Sequence, residues 1–410
     1  MNLPQTEEDA DAPQWLKVAW FWSGDSDVPH ENLFLEVQRG QLTAITPKAP
    51  ARFLDLQGAA IIPQLVNAHC HLEFSHLEAP LEPALPFADW IGRTVAARRA
   101  QPYPAQAIAA GLRESTAAGV GLLGEVMTHD SLEAYAQPEA PALTLFREFL
   151  AFSEDQAAEQ RGLLRRFLAD RAPGARLGIS PHAPYTVCPD DLRKCLDMAV
   201  EFQATVMLHL AETRAERELL AEGRGELVEM LRRLNLWEAR RYPRGLRPLD
   251  YLRELARAPR ALVAHGNYFD REEIETLART GIAVAYCPRT HAFFQHSAHP
   301  FRAMLQQGVG VCLGTDGRGS NPDLNLWEEV RFLRRKYPDV PPVELLRMAT
   351  VRGGAALGQD VVLREGQPAR WTVLLPGVGQ RAIISDWDAL FSRQTDREFV
   401  MLKGLASRSG

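Results

Sequence analysis

The sequence lacks the raw material of several protein classes. Its five cysteines, Cys70, Cys188, Cys195, Cys287 and Cys312, are an odd number, widely spread and without a C-x-x-C pair, which argues against a disulfide scaffold and a four-cysteine zinc knot. No stretch approaches the ~20 apolar residues of a membrane helix, so no membrane partner is expected. Met1 to Pro13 is acidic and polar rather than basic then apolar, and no N-x-S/T sequon occurs. A secretory leader is therefore not expected, and a reduced, cytoplasmic setting is. A basic surplus is missing too: 46 basic against 52 acidic side chains leave a net charge of −6, which speaks against nucleic acid as a partner. Lysine is scarce, with Lys17, Lys48, Lys194, Lys336 and Lys403 the full set.

What is present is a chain of 410 residues, 46% apolar and 24% charged, long enough to bury a large core without staples. Residues 15–62 read as short strands: Leu16–Trp22, Asn32–Val37, Leu42–Ile45 after the Arg39-Gly40 turn, and Ala60–Ile62. From Pro63 onward, apolar runs alternate with helical stretches. The runs are Gly119–Leu123, Leu143–Phe146, Leu177–Ile179, Thr205–Leu208, Ala261–Ala264, Ile282–Ala285 and Val309–Leu313. The helices are Ala105–Ala117, Gln156–Arg171, Pro189–Glu201, Arg214–Arg233 and Arg271–Thr280. About eight such units across residues 63–354 fit a closed barrel of parallel strands better than an open sheet. Arg370–Leu375 and Gln380–Ile384 return to strand character. The expected fold is α/β: a (β/α)8 TIM-like barrel spanning 63–359, with a small β-sandwich domain composed of 1–62 and 360–410, from both termini.

The chemistry begins at Asn67-Ala68-His69-Cys70-His71. Residues two apart on a strand point the same way, so His69 and His71 would project together as half of a metal site. An H-x-H alone proves little. Four later segments strengthen it: Leu177–Ile179 runs into Ser180-Pro181-His182, Thr205–Leu208 into His209-Leu210-Ala211-Glu212, Ala261–Ala264 into His265, and Val309–Leu313 into Gly314-Thr315-Asp316-Gly317. Singly, His182 or His265 could be a satisfied core histidine and Asp316-Gly317 a hairpin turn. Together, ionisable residues at the C-terminal ends of successive barrel strands mark an active site.

The order H-x-H, H-L-x-E, H-G and G-T-D-G resembles the amidohydrolase superfamily over nearly the whole chain. The similarity is greatest to the branch of cytosine, guanine, S-adenosylhomocysteine and related aminopurine deaminases and triazine hydrolases. That resemblance implies a hydrolase acting on C–N bonds, with His69, His71, His209 and Asp316 as ligands of one divalent metal. Zinc is the first choice, with iron(II) or manganese(II) also suiting the set. Glu212 would be the proton shuttle and Asp316 a further proton acceptor. His265 would be the histidine that hydrogen-bonds the hydroxide or the tetrahedral intermediate, and His182 a substrate contact. Binuclear members use a carbamylated lysine on a middle strand; no lysine here stands at such a strand end, so one metal is expected. Glu125 is read as structural.

The substrate is expected to be a small molecule. Phe87-Ala88-Asp89-Trp90-Ile91 resembles the tryptophan segment of nucleoside deaminases, but the position where relatives carry an acid for ribose falls in Arg98-Arg99. Guanidinium there favours a substrate bearing a carboxylate. Arg147, just past a strand, resembles a substrate-side arginine, and Glu212 and Trp90 complete the expected substrate contacts. His71-Leu72-Glu73-Phe74-Ser75 and Cys287-Pro288-Arg289-Thr290 look like the branch that deaminates 6-aminodeoxyfutalosine, an adenine nucleoside with a carboxyphenyl group, in menaquinone synthesis. Alternatives are adenosine, S-adenosylhomocysteine or another aminated heterocycle, or a triazine, chloro- or cyclic-amide substrate on the same site. Arg214–Leu255 is expected to fold over the barrel mouth, and His291, His296 and His299 to form a polar loop near the entrance. Self-association as a homo-oligomer is left open.

Overall fold

The computed structural model describes residues 13–56, 58–101, 103–128, 131–137, 140–170, 174–374, 387–391 and 399–400. The N-terminal strands are β1 (Gln14–Phe21), β2 (His30–Gln38), β3 (Gln41–Thr46), β4 (Leu54–Asp55) and β5 (Ala60–Pro63). The chain then lays down β6 (Leu65–His71), β7 (Val120–Met127), β8 (Ala142–Phe149), β9 (Ala175–Pro181), β10 (Thr205–Leu210), β11 (Arg260–His265) and β12 (Ala283–Tyr286). These pair in sequence order, each parallel to the next.

The ring closes through one more pass of the chain. Its first half, β13 (Val311–Leu313), bonds to β12, and its second half, β14 (Asp316–Gly317), bonds to β6. Gly314 lies at the change-over, where a Cβ would stand 2.8 Å from the His69 carbonyl oxygen, so only glycine lets the two strands approach there. The eight-membered parallel barrel expected from the alternating pattern is what forms. Alternate residues, among them Val66, Leu122, Phe146, Met207, Leu262 and Cys312, fill its interior. The opposite faces, including Leu123, Leu145, Ile179, Val206 and Val263, pack in the larger apolar cluster outside it.

Near the C-terminus, β15 (Gln367–Pro368), β16 (Trp371–Leu374) and β17 (Phe399–Val400) join the N-terminal strands in one sheet, ordered β15-β3-β2-β1-β5-β16-β17, with β4 against β1. The sheet is continuous and surrounds its own core of Leu16, Val18, Leu35, Leu42, Ile61 and Trp371. Trp20, Trp22 and Ile62 belong to the barrel's outer cluster, so the sheet is fastened to the barrel by apolar burial. The expected strand Gln380–Ile384 lies outside the described residues. Among the described residues, no helix is long and apolar enough to cross a membrane.

One helix is added to those expected and another is divided. Phe87–Ala100 is a helix and carries the tryptophan segment. The single helix expected over Arg214–Arg233 is two, Arg214–Glu222 and Glu226–Arg233, because Gly223 and Gly225 adopt φ of 65° and 99° between them.

Candidate active site

The C-terminal ends of the barrel strands gather the histidines and acids. On β6, a register shift between Asn67 and Cys70 interrupts plain alternation, which would otherwise place His69 and His71 opposite Val66 and Ala68 of the interior. A bulge beside a site is a common way to re-aim side chains. On β10, Met207 faces the interior, and His209, two residues on, follows it. His265 ends β11 with φ of 74° and Asp316 begins β14 with φ of 59°; both left-handed residues turn the chain so that their side chains enter the site.

The distances define a tight cluster. His69 Nε2 and His71 Nε2 each lie 3.5 Å from Asp316 Oδ1, and His71 Nε2 lies 3.3 Å from His209 Nε2. The ligand atoms of His69, His71 and Asp316 lie within 4.8 Å of one another, as do those of His69, His209 and His265. Outer contacts fix the tautomers. His209 Nδ1 lies 2.9 Å from the His182 carbonyl, so Nδ1 carries the proton and Nε2 presents a lone pair. His69 Nδ1 lies 3.1 Å from Met207 Sδ, which leaves its buried Nε2 without a hydrogen-bond partner. Bare lone pairs and a carboxylate facing one another without protons suit a cation. Three imidazoles and one carboxylate are the donor set of a borderline divalent ion. His69, His71, His209 and Asp316 are thus able to hold one.

Burial, reinforced by neighbouring imidazoles, holds His71 and His209 well below the usual histidine pKa. His265 is pushed down to about 3 by burial. At Asp316 burial acts in the opposite sense but is outweighed by the neighbouring imidazole rings, His69 first and then His71 and His265, so its pKa falls. Glu212 behaves oppositely: burial, then the charges of Asp316 and Glu216, raise it well above the carboxylate range. Its Oε1 lies 3.5 Å from His265 Nε2. Two carboxyl groups in one site with opposed shifts have the division that acid–base chemistry requires.

The cluster floors a cavity of about 760 Å³, the size of a small-ligand pocket. Its walls include Phe87, Trp90 and Ile91 on one side, Phe152 and Tyr185 on another, and Met230, Leu231 and Leu236 from the segment after Gly225. The long insertion does therefore shape the mouth. Trp90 is half-buried, its Nε1 donating to the Gly319 carbonyl at 3.3 Å.

The arginines divide. Arg98 lines the pocket, but Nε and Nη2 donate to Glu73 at 3.0 and 2.7 Å. Its fork is already occupied by a protein carboxylate, contrary to the expectation that it awaits one from a substrate. Arg99 is exposed, lines the same pocket, and has no ion pair among the described residues. Arg147 does not line the pocket. It sits within β8, not past it, and is buried on the side of Leu145 and Phe149, in the outer cluster, while Glu148 turns inward. A one-residue displacement on a strand exchanges faces, and that corrects the expected role of Arg147.

Glu148 is the residue that sequence reasoning missed. Its Oε1 lies 4.0 Å from His182 Nε2, inside the pocket. The sequence signal was present: Phe146 begins an inward-facing alternation that Glu148 continues. Glu125 accepts the Leu72 backbone N–H on both oxygens and the Tyr135 hydroxyl, bracing the turn after His71, as a structural residue should. His291 and His299 are buried away from the mouth. His299 Nε2 donates to the His265 carbonyl at 2.8 Å, so these histidines brace the site from outside the pocket rather than line its entrance, while Phe294 of the same loop packs on Phe87 and Trp90 of the pocket wall.

The model of the amidohydrolase family matches residues 60–400. The chain is 34% identical over 333 residues to an aminodeoxyfutalosine deaminase of Deinococcus radiodurans, covering 76% of each. It is 31% identical over 369 residues to a 5-methylthioadenosine/S-adenosylhomocysteine deaminase of Nitratidesulfovibrio vulgaris, covering 83% of this chain and 78% of the relative. Its fold is similar to that of Helicobacter pylori aminofutalosine deaminase in complex with methylthio-coformycin, with a TM-score of 0.81 at 18% identity over 94% of this chain and 97% of that one.

Proposed function

The chain belongs to the amidohydrolase family, and from that membership and the chemistry of its pocket we propose that it deaminates an adenosine-like nucleoside, with 6-aminodeoxyfutalosine as the preferred substrate. The observation that carries the reading is the convergence of His69, His71, His209 and Asp316 with the Glu212–His265 pair on the floor of one nucleoside-sized pocket. A divalent ion held by those four side chains, zinc by the donor set, supplies acidification of a water when bound.

The remaining chemistry falls to the chain's own residues. Water adds its oxygen to the ring carbon bearing the amino group, the C–N bond breaks, and ammonia leaves with an oxo-purine as the other product. Glu212, kept protonated by burial, holds a proton at a carboxyl oxygen for the ring nitrogen beside that carbon. Asp316, held ionised, takes up one proton of the water, and that proton then serves the departing amine; the second proton of the water returns to the now ionised Glu212 as the added oxygen becomes the oxo group. His265 is neutral at Nε2 and steadies the oxygen that adds. The apolar walls around Trp90 exclude water from the base, and exposed Arg99 at the rim offers a cation to a distal carboxylate.

Ammonia release by the zinc-loaded protein tests this, comparing 6-aminodeoxyfutalosine, adenosine, methylthioadenosine, S-adenosylhomocysteine, cytosine and guanine. The expected order puts the carboxylated nucleoside first in kcat/KM. Equal or better turnover of the neutral nucleosides removes the carboxylate argument; no ammonia from any nucleoside refutes the deaminase reading.

A further inference from the structure

Glu148 and His182 form an unmatched pair. His182 Nδ1 lies 2.7 Å from Thr186 Oγ1, whose own hydroxyl donates to the Ala183 carbonyl at 3.1 Å. Nδ1 of His182 therefore carries the proton, and its Nε2 faces the pocket as an acceptor. The group 4.0 Å away is Glu148 Oε1, another acceptor. That separation is too long for a hydrogen bond, and no donor to the Glu148 carboxyl is found among the described residues. The carboxyl is 94% buried, so little bulk water reaches it. A largely buried acceptor without a donor is costly unless the ligand supplies one.

The surroundings decide what kind of donor. Arg98, the cation whose charge Glu148 favours, is already engaged by Glu73 through two bonds, so among the described residues this end of the pocket presents acceptors and no cation without an ion pair. A substrate carboxylate is repelled here; neutral O–H donors are drawn in. Exposed Arg99, without an ion pair among the described residues, leaves room for a carboxylate at the rim instead.

We propose that Glu148 is a specificity-determining residue that accepts hydrogen bonds from the sugar hydroxyls of the substrate, beside His182. The inference rests on the nucleoside reading above and adds to it that the sugar, not only the base, is selected from the end of β8.

The test compares zinc-loaded wild type with Glu148→Gln and Glu148→Ala on adenosine and 2',3'-dideoxyadenosine, with equilibrium binding of inosine and 2',3'-dideoxyinosine as a second readout. Wild type is expected to favour the diol by about tenfold or more, as suits hydrogen bonds to a charged group. In both variants that ratio falls toward one, through KM more than kcat. A ratio unchanged in the variants, or a wild type indifferent to the diol, overturns the assignment of Glu148 while leaving the deaminase reading intact. Absence of ammonia from every nucleoside overturns that reading, and this inference with it. Should the variants fail to fold, the inosine pair measured on wild type still decides: equal affinities refute the proposal.

Discussion

Glu216 offers a sharp perturbation of the site because it holds the turn that carries Glu212. Fully buried, it accepts the backbone N–H of Ala211 at 2.7 Å and of Glu212 at 3.1 Å. Burial, only partly opposed by those bonds and by Arg217, raises its pKa from 4.5 to about 7. Below pH 4.5 both folded and unfolded chains hold the proton. Between 4.5 and about 7 the unfolded chain releases it first, so folding stability declines as pH rises, and above 7 the penalty is complete. The gap from 4.5 to about 7, at about 1.4 kcal/mol for each pH unit, makes that penalty about 3 kcal/mol. Glu216→Gln removes it but forfeits one accepted bond, at about 1 kcal/mol. Urea unfolding of both proteins at pH 5, 6 and 8 should therefore show the variant about equal to wild type at pH 5 and about 2 kcal/mol stronger at pH 8. Comparing the two proteins at each pH cancels contributions from groups not coupled to Glu216; Glu212, whose pKa the Glu216 charge raises, responds in the same direction as the direct effect. A difference between them that stays constant from pH 5 to 8 refutes the reasoning.

Glu212→Gln should retain metal, measured by mass spectrometry, yet lose about 10²- to 10⁴-fold in kcat, since only a proton-carrying group is altered. His71→Ala should lose metal on dialysis against a chelator under conditions where wild type keeps it; retained stoichiometric metal would show that His71 is no ligand. Arg98→Ala should lower unfolding stability by about 1–3 kcal/mol by taking the cation from buried Glu73, which keeps the Thr128 hydroxyl; the loss is less than for a fully buried pair because Arg98 is one-third exposed. Arg99→Ala should leave the melting temperature in place and raise KM for the carboxylated nucleoside about tenfold, with little change for methylthioadenosine.

The cluster of histidines and aspartate was legible because each member ends or follows an apolar run, and apolar runs betray barrel strands whatever their neighbours. His69 and His71 needed only the two-residue period, although the bulge that aims them leaves no mark in the sequence. The arginines were misread for the complementary reason. Apolarity ends the run at Phe146, whereas hydrogen bonding carries β8 to Phe149, so Arg147 appeared to stand on a loop when it occupies an outward strand position. The same truncation hid Glu148. The pairing of Arg98 with Glu73 spans 25 residues and a helix, and no local pattern reports it. His299 escaped likewise, since its partner is a backbone carbonyl 34 residues away.

Three left-handed, non-glycine residues lie in the active site: Ala211 at φ 53°, His265 at 74° and Asp316 at 59°. Each such residue costs about 1–3 kcal/mol and persists only where its surroundings hold it. Each has its own restraint. Glu216 takes the N–H of Ala211, His299 donates to the carbonyl of His265, and Ser320 donates to Asp316 Oδ2 at 2.8 Å. His299 is itself oriented, because its Nδ1 accepts the Phe301 N–H at 2.9 Å and its ring stacks on Tyr286 at 3.8 Å. An undistorted barrel would run each strand on past the point where chemistry is needed, with alternate side chains leaving the site. The left-handed turns bring consecutive strand ends to face one centre, and the three restraints confine the cost to the rim. The closed ring below, packed inside and out, is what allows that rim to be strained.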